Sequence, residues 1–185
     1  MRQIIIHKRK IAKLFNQSSP QNYTNGMIWY HKANTIAEVL AKKHNISKIR
    51  VIGILAALSP NNKWERNQID VDLFLTRPSI DTKVCTFMNQ RKKALEIYYG
   101  NGTIKHIEKT LNGIKTKNFF NNILNYDTSD HVTVDMWAFR SVGVEAKLKN
   151  VPLVTQAYKE VALEMNILPH QLQAIVWGVV RGSLV

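Results

Sequence analysis

Along nearly all of the 185 residues, apolar positions recur at spacings of three and four, the period of an amphipathic helix rather than the alternation of a strand. The pattern predicts helices over 3–16, 28–44, 48–58, 63–75, 88–99, 103–111, 116–125, 135–142, 152–166 and 169–181. Turn-formers divide them: Ser18-Ser19-Pro20, Asn25-Gly26, Asn45, Ser59-Pro60, Arg77-Pro78, Gly100-Asn101-Gly102, Gly113 and 127–130. Only His131-Val132-Thr133-Val134 reads as extended. The last helix carries Ile175, Val176, Trp177, Val179 and Val180 almost all round, which predicts burial inside the fold. The fold class expected is all-α.

One turn stands out chemically. Ile104, Ile107 and Leu111 mark one short amphipathic helix and Phe119, Phe120, Ile123 and Leu124 another, with Leu111-Asn112-Gly113-Ile114-Lys115-Thr116-Lys117 joining them. A glycine between two such helices predicts a tight turn, and the second helix starts with unpaired N–H groups that can hold a phosphate without reading sequence. Gly113, Ile114 and Lys115 are thus candidates for a DNA backbone clamp. Downstream, Asp135 opens the stretch Met136 to Arg140. It is placed as a helix N-cap, and a carboxylate there can also stabilise an oxocarbenium ion or deprotonate a nucleophile. An amine such as that of Lys117 can attack a sugar C1′ once partly neutral.

Composition narrows the partner. Lys and Arg outnumber Asp and Glu by 26 to 13, a net charge of +13, which is the footprint of a polyanion binder. The basic residues cluster at Lys8 to Lys13, Arg91 to Lys93 and Lys105 to Lys117. Double-stranded DNA is the partner expected. No apolar run approaches the length that spans a bilayer, and the apolar start at Ile4 to Ile6 is too short for a secretory signal. A cytoplasmic protein without a membrane partner is expected. The single cysteine, Cys85, excludes an internal disulfide and a four-cysteine iron-sulfur cluster, and the six histidines show no metal-ligand spacing. No metal or cofactor is expected, and the protein is taken as a monomer.

The run from Leu111 to Lys117, followed by Val134-Asp135 and Arg140, resembles the helix-hairpin-helix DNA glycosylases of the endonuclease III type, with their Leu-Pro-Gly-Val-Gly-x-Lys-Thr and Val-Asp-x-His-x-x-Arg patterns. Aligned on Gly113 and Asp135, Lys117 falls on that family's catalytic lysine, Asp135 on its aspartate and Arg140 on its arginine. Asn112 stands where the family has proline, Lys115 where it has the second hairpin glycine, and Trp137 where it has histidine. Val51 to Lys63 looks like the family's apolar helix ending in a loop that enters the DNA stack, with Asn61 in the place of its glutamine. Asn89 to Ile97 is similar to the helix preceding the hairpin. The resemblance covers about residues 46 to 142.

That resemblance implies a two-lobed fold with an interlobe cleft: a central lobe over 46–142, carrying the hairpin at about 103–125, and a second lobe from 1–45 with 143–185. It implies base excision with Asp135 and Lys117 as catalytic groups, Lys115 remaining open as the alternative nucleophile, and an AP-lyase step if a lysine attacks. Asn61, Asn62, Lys63, Arg91, Lys93 and Arg140 join the hairpin as DNA-contact candidates. Trp29, Tyr30 and Trp137 are candidates to stack on an extruded base, against the plainer reading of Trp29 and Tyr30 as core. Trp64 and Arg66 divide between core and contact, and Gln171 and Gln173 between base edges and ordinary helix bonds. Two rival functions stay open. One is a phage base-modification or base-exchange enzyme on this scaffold, and the other is a hairpin module that binds DNA without catalysis.

Overall fold

The computed structural model describes residues 2–182. Among them there is no strand. The chain forms α1 (Arg2–Asn16), α2 (Pro20–His44), α3 (Lys48–Leu58), α4 (Trp64–Thr76), α5 (Met88–Tyr99), α6 (Ile104–Leu111), α7 (Ile114–Leu124), α8 (Met136–Val142), α9 (Val151–Glu164) and α10 (Pro169–Arg181), with a single 3-10 turn at Leu148–Asn150. The all-helical expectation holds, and most boundaries fall within two residues of the periodicity.

The largest departure is at α2, which begins at Pro20 and runs straight through Asn25-Gly26, so that pair is no separator. Proline suits a first helical turn, and the Ser19 hydroxyl accepts from the Asn22 N–H at 3.1 Å, which caps the end. Gly26 serves packing instead. A Cβ there would lie 2.7 Å from the Ile175 backbone nitrogen and 2.8 Å from its Cα, so α10 can approach only a bare backbone.

The chain divides into two compact units. One is the continuous segment Lys32–Leu124, and the other joins the ends, up to His31 and from Asn125 onward. The division therefore falls ahead of the 46 and 142 boundaries, and it assigns α8 to the unit made from the ends.

In the continuous unit α3 is the central element. Val51 through Leu58 are all buried, and α4, α5, α6 and α7 pack around them. Eight successive buried positions explain why this helix reads as apolar all round rather than amphipathic. Gly53 admits two neighbours at once, since a Cβ there would stand 2.8 Å from Ile107 Cγ2 and 3.1 Å from Ile97 Cγ2. The other unit gathers Ile11, Val132, Val134, Phe139, Val142, Val154, Tyr158, Val161, Leu172 and Val176 into one core. The extended segment at 132–134 thus contributes buried side chains without forming a strand.

Candidate functional site

The hairpin lies within the continuous unit. Thr103 caps α6 by accepting from the His106 N–H at 3.2 Å, and Ile107 and Leu111 point into the core. The left-handed residue of the turn is Asn112, at φ 47° and ψ −25°, and not Gly113. Asparagine tolerates this region because its short carboxamide can bond locally. Here that carboxamide does so: Lys93 Nζ donates to Asn112 Oδ1 at 2.8 Å and to the Leu111 carbonyl at 2.9 Å. Gly113 O then accepts from the Lys117 N–H at 3.0 Å, so α7 starts at once. The Thr116 hydroxyl turns back to the Gly113 carbonyl at 3.0 Å, and Asn121 ties α7 to Glu108 of α6 at 2.8 Å.

What this turn shows to solvent is Asn112, Gly113 and Ile114, the last 55% exposed, with Lys115 and Lys117 half-buried on the first turn of α7.

Several expected DNA contacts turn inward. Lys93 is fastened to the hairpin turn as described, and burial lowers its pKa. Arg91 donates to the Val84 carbonyl at 3.1 Å and holds the loop ahead of α5. Asn62 is drawn to Asp70, donating to Oδ2 at 2.9 Å. All three are half-buried and bonded within the protein: Asn62 to a carboxylate, Arg91 to a backbone carbonyl, and Lys93 to a backbone carbonyl and the exposed Asn112 carboxamide. Asn61, left-handed at φ 57°, and Lys63 remain exposed on their loop. Trp64 meets Phe119 edge-on at 6.2 Å, which places it against α7.

Asp70 was invisible as a feature of the sequence, apart from its i,i+4 spacing to Arg66. It is wholly buried and receives Arg66 Nε at 2.8 Å, Asn62 Nδ2 at 2.9 Å and the Cys85 N–H at 2.8 Å. One carboxylate thereby pins the 59–63 loop, α4 and the loop before α5.

In the unit made from the chain ends, Asp135 caps α8. Its Oδ1 accepts from the Ala138 N–H at 2.9 Å, with the residue half-buried. Arg140 is exposed and lies over the half-buried Trp137 ring at 4.6 Å, a cation–π pair that occupies one face of that ring. At the other end of α8, Lys10 Nζ donates to the Val142 carbonyl at 2.8 Å.

Tyr30 is a core residue and not a base-stacking one. It is 4% exposed, its hydroxyl lies 3.2 Å from Thr133 Oγ1 and 3.3 Å from Gln173 Oε1, and its ring meets Trp29 and His170 edge-on. Trp29, half-buried, also meets Trp177 at 6.0 Å. The glutamines make ordinary helix bonds: Gln171 accepts from the Leu168 N–H at 3.0 Å, and Gln173 pairs with Tyr30. Among the described residues no three His, Cys, Asp or Glu side chains gather as a metal site, and no helix is long and apolar enough to cross a membrane.

No curated protein and no solved structure matches the chain. A match to a family does extend over residues 3–184, nearly the full length, and on that ground the chain belongs to the family of unknown function DUF7178.

Proposed function

We propose that this protein is a DNA N-glycosylase with AP-lyase activity. The observation that carries the reading is the hairpin, whose turn presents Gly113 and Ile114 outward beside the half-buried Lys115, while Lys93 fastens the turn through Asn112 and the Leu111 carbonyl. A rigid, basic, solvent-facing helix start suits a DNA phosphate, and the +13 charge supplies the long-range attraction.

In the chemistry proposed, the Lys117 amine attacks C1′ of an extruded nucleotide. The C1′–N bond to the base breaks and its electron pair leaves with the base, which takes up a proton. The new C1′–N bond to lysine becomes a Schiff base when the sugar ring opens, the C1′–O4′ bond breaking with its electrons going to O4′, which takes the proton that the amine gives up. Asp135 stabilises the positive charge that develops on the sugar. β-Elimination from that Schiff base nicks the strand.

Duplexes carrying single altered bases, scored separately for abasic sites and for nicks, test the activity. Borohydride reduces a lysine Schiff base, so it should trap a covalent protein–DNA complex that disappears in Lys117→Ala. Trapping that survives Lys117→Ala but is lost in Lys115→Ala would move the nucleophile to Lys115. Asp135→Asn should keep the cap and the DNA affinity and lose excision.

A second reading has its own support, because the Asp135–Ala138 bond is a complete N-cap by itself. On that reading the protein binds DNA through the hairpin without cutting it, and no duplex in the panel acquires an abasic site.

A further inference from the structure

α8 is seven residues long, too short to hold its shape alone, and its order comes from what grips it. Two grips are at its ends, from Asp135 and from Lys10. The third is internal. Ser141 Oγ lies 2.8 Å from the Ala138 carbonyl and 2.8 Å from the Tyr158 hydroxyl. A carbonyl only accepts, so the single serine proton goes to Ala138 and the tyrosine must donate to the serine. Ala138 is then held at both backbone groups, its C=O by Ser141 and its N–H by Asp135. The result is a chain from Tyr158 through Ser141 and Ala138 to the Asp135 carboxylate, with Tyr158, Ser141 and Ala138 at 1%, 5% and 2% exposure.

We infer that Tyr158 and Ser141 are positioning residues for Asp135, fixing the turn that carries its carboxylate; the catalytic part of this inference rests on the glycosylase reading above. The residue types argue for geometry over bulk. Phenylalanine and alanine would fill nearly the same space and leave no buried hydroxyl needing a partner. A satisfied buried pair adds direction instead, since a hydrogen bond fixes where Ala138 stands and apolar packing does not. Burial, and after it the nearby Asp135 charge, pushes the Tyr158 phenol well above its usual range, so it remains a donor at any working pH.

The test compares Ser141→Ala, Tyr158→Phe, the double variant and Ser141→Thr. Ser141→Ala strands the tyrosine hydroxyl and should lower Tm, and the double variant, with both partners gone, should recover most of it. The single-turnover excision rate of the double variant should nonetheless stay about tenfold down, with DNA affinity unchanged, because a loosened carboxylate affects the chemical step alone. Ser141→Thr keeps the hydroxyl and should restore the rate. Amide exchange at Ala138 should be about tenfold faster in the double variant, with the amides of α9 unaffected. A rate that simply follows Tm through the series, or Ala138 exchange equal to wild type in the double variant, overturns the proposal. If the wild type excises nothing, the glycosylase reading falls by itself. The Ala138 exchange then decides whether the pair holds this turn.

Discussion

Acidification from pH 7 to pH 5 should destabilise the unit made from the chain ends, through His170. Its imidazole is 1% exposed, neither ring nitrogen has a hydrogen bond of good geometry, and Tyr30 meets it edge-on at 4.9 Å. Burial pushes its pKa down to about 4 from 6.5, and the nearby Tyr126 backbone offsets only a little of this. The unfolded chain therefore takes up a proton through about pH 6.5, while the native state refuses it until about pH 4. Within that window the unfolded state binds more protons, so the stability present above it is lost as pH falls. The loss levels off below the native pKa.

A depression of about 2.5 units at about 1.4 kcal/mol each gives a full loss of about 3 kcal/mol, of which about 2 kcal/mol has gone by pH 5. In Tm that is about 4–8 °C for a chain of this size. Urea unfolding at pH 7, 6 and 5, followed by tryptophan fluorescence, should show it; Trp29, Trp137 and Trp177 report on this unit and Trp64 on the other. His170→Phe keeps an aromatic ring beside Tyr30 and removes the titration. His7, also lowered by burial and by Lys10, titrates in both proteins and cancels in the comparison. Parallel pH dependence in wild type and variant would refute the reasoning.

Two further outcomes follow from the packing and the hairpin. Lys93→Met should cost up to about 1 kcal/mol in urea unfolding, by removing the bonds that tie α5 to the Leu111 carbonyl, which keeps the Gly113 N–H as a donor, and to the exposed Asn112 amide oxygen. Lys92→Met, at an exposed neighbour, should leave stability alone and reduce the salt slope of DNA binding by about 1; equal effects of the two on binding would show that Lys93 meets DNA after all. Gly26→Ala gains up to about 1 kcal/mol of helix propensity but drives a methyl group into the Ile175 backbone, for a net loss of about 2–3 kcal/mol. A variant of raised Tm would contradict that account.

Helix existence was legible because burial follows the 3.6-residue period, and α10 could even be placed inside the fold from its apolar run, of which Ile175 and Val176 are buried and Trp177, Val179 and Val180 half-buried. Gly26 misled because local sequence cannot tell a glycine that turns the chain from one that lets another helix approach. The hairpin was legible as a turn, but its left-handed residue was not, since the choice of Asn112 over Gly113 depends on a lysine 19 residues upstream. Arg91 and Lys93 read as surface charge for the same reason: composition counts cations, and only packing decides where a long side chain points. Tyr158 and Ser141 lie 17 residues apart on separate helices, so no spacing rule could pair them.

The interleaving of the two units bears on how the chain is made. Residues 32–124 are contiguous, and the Asp70 contacts span only 4, 8 and 15 positions, so the loops they close cost little entropy. The other core needs Ile11 beside Leu172 and Val176. During synthesis α1 emerges first, and its partners α8, α9 and α10 come last. At about 5–20 residues per second, the interval is roughly ten to thirty seconds. For that time the apolar side of α1, with Ile4, Ile11, Leu14 and Phe15, has no native surface to cover it. The nascent chain's exposure to aggregation is thus shared by α1 and the start of α2, whose Trp29 and Tyr30 also wait for α10, and the segment bearing the hairpin can complete itself on the ribosome before either finds its place.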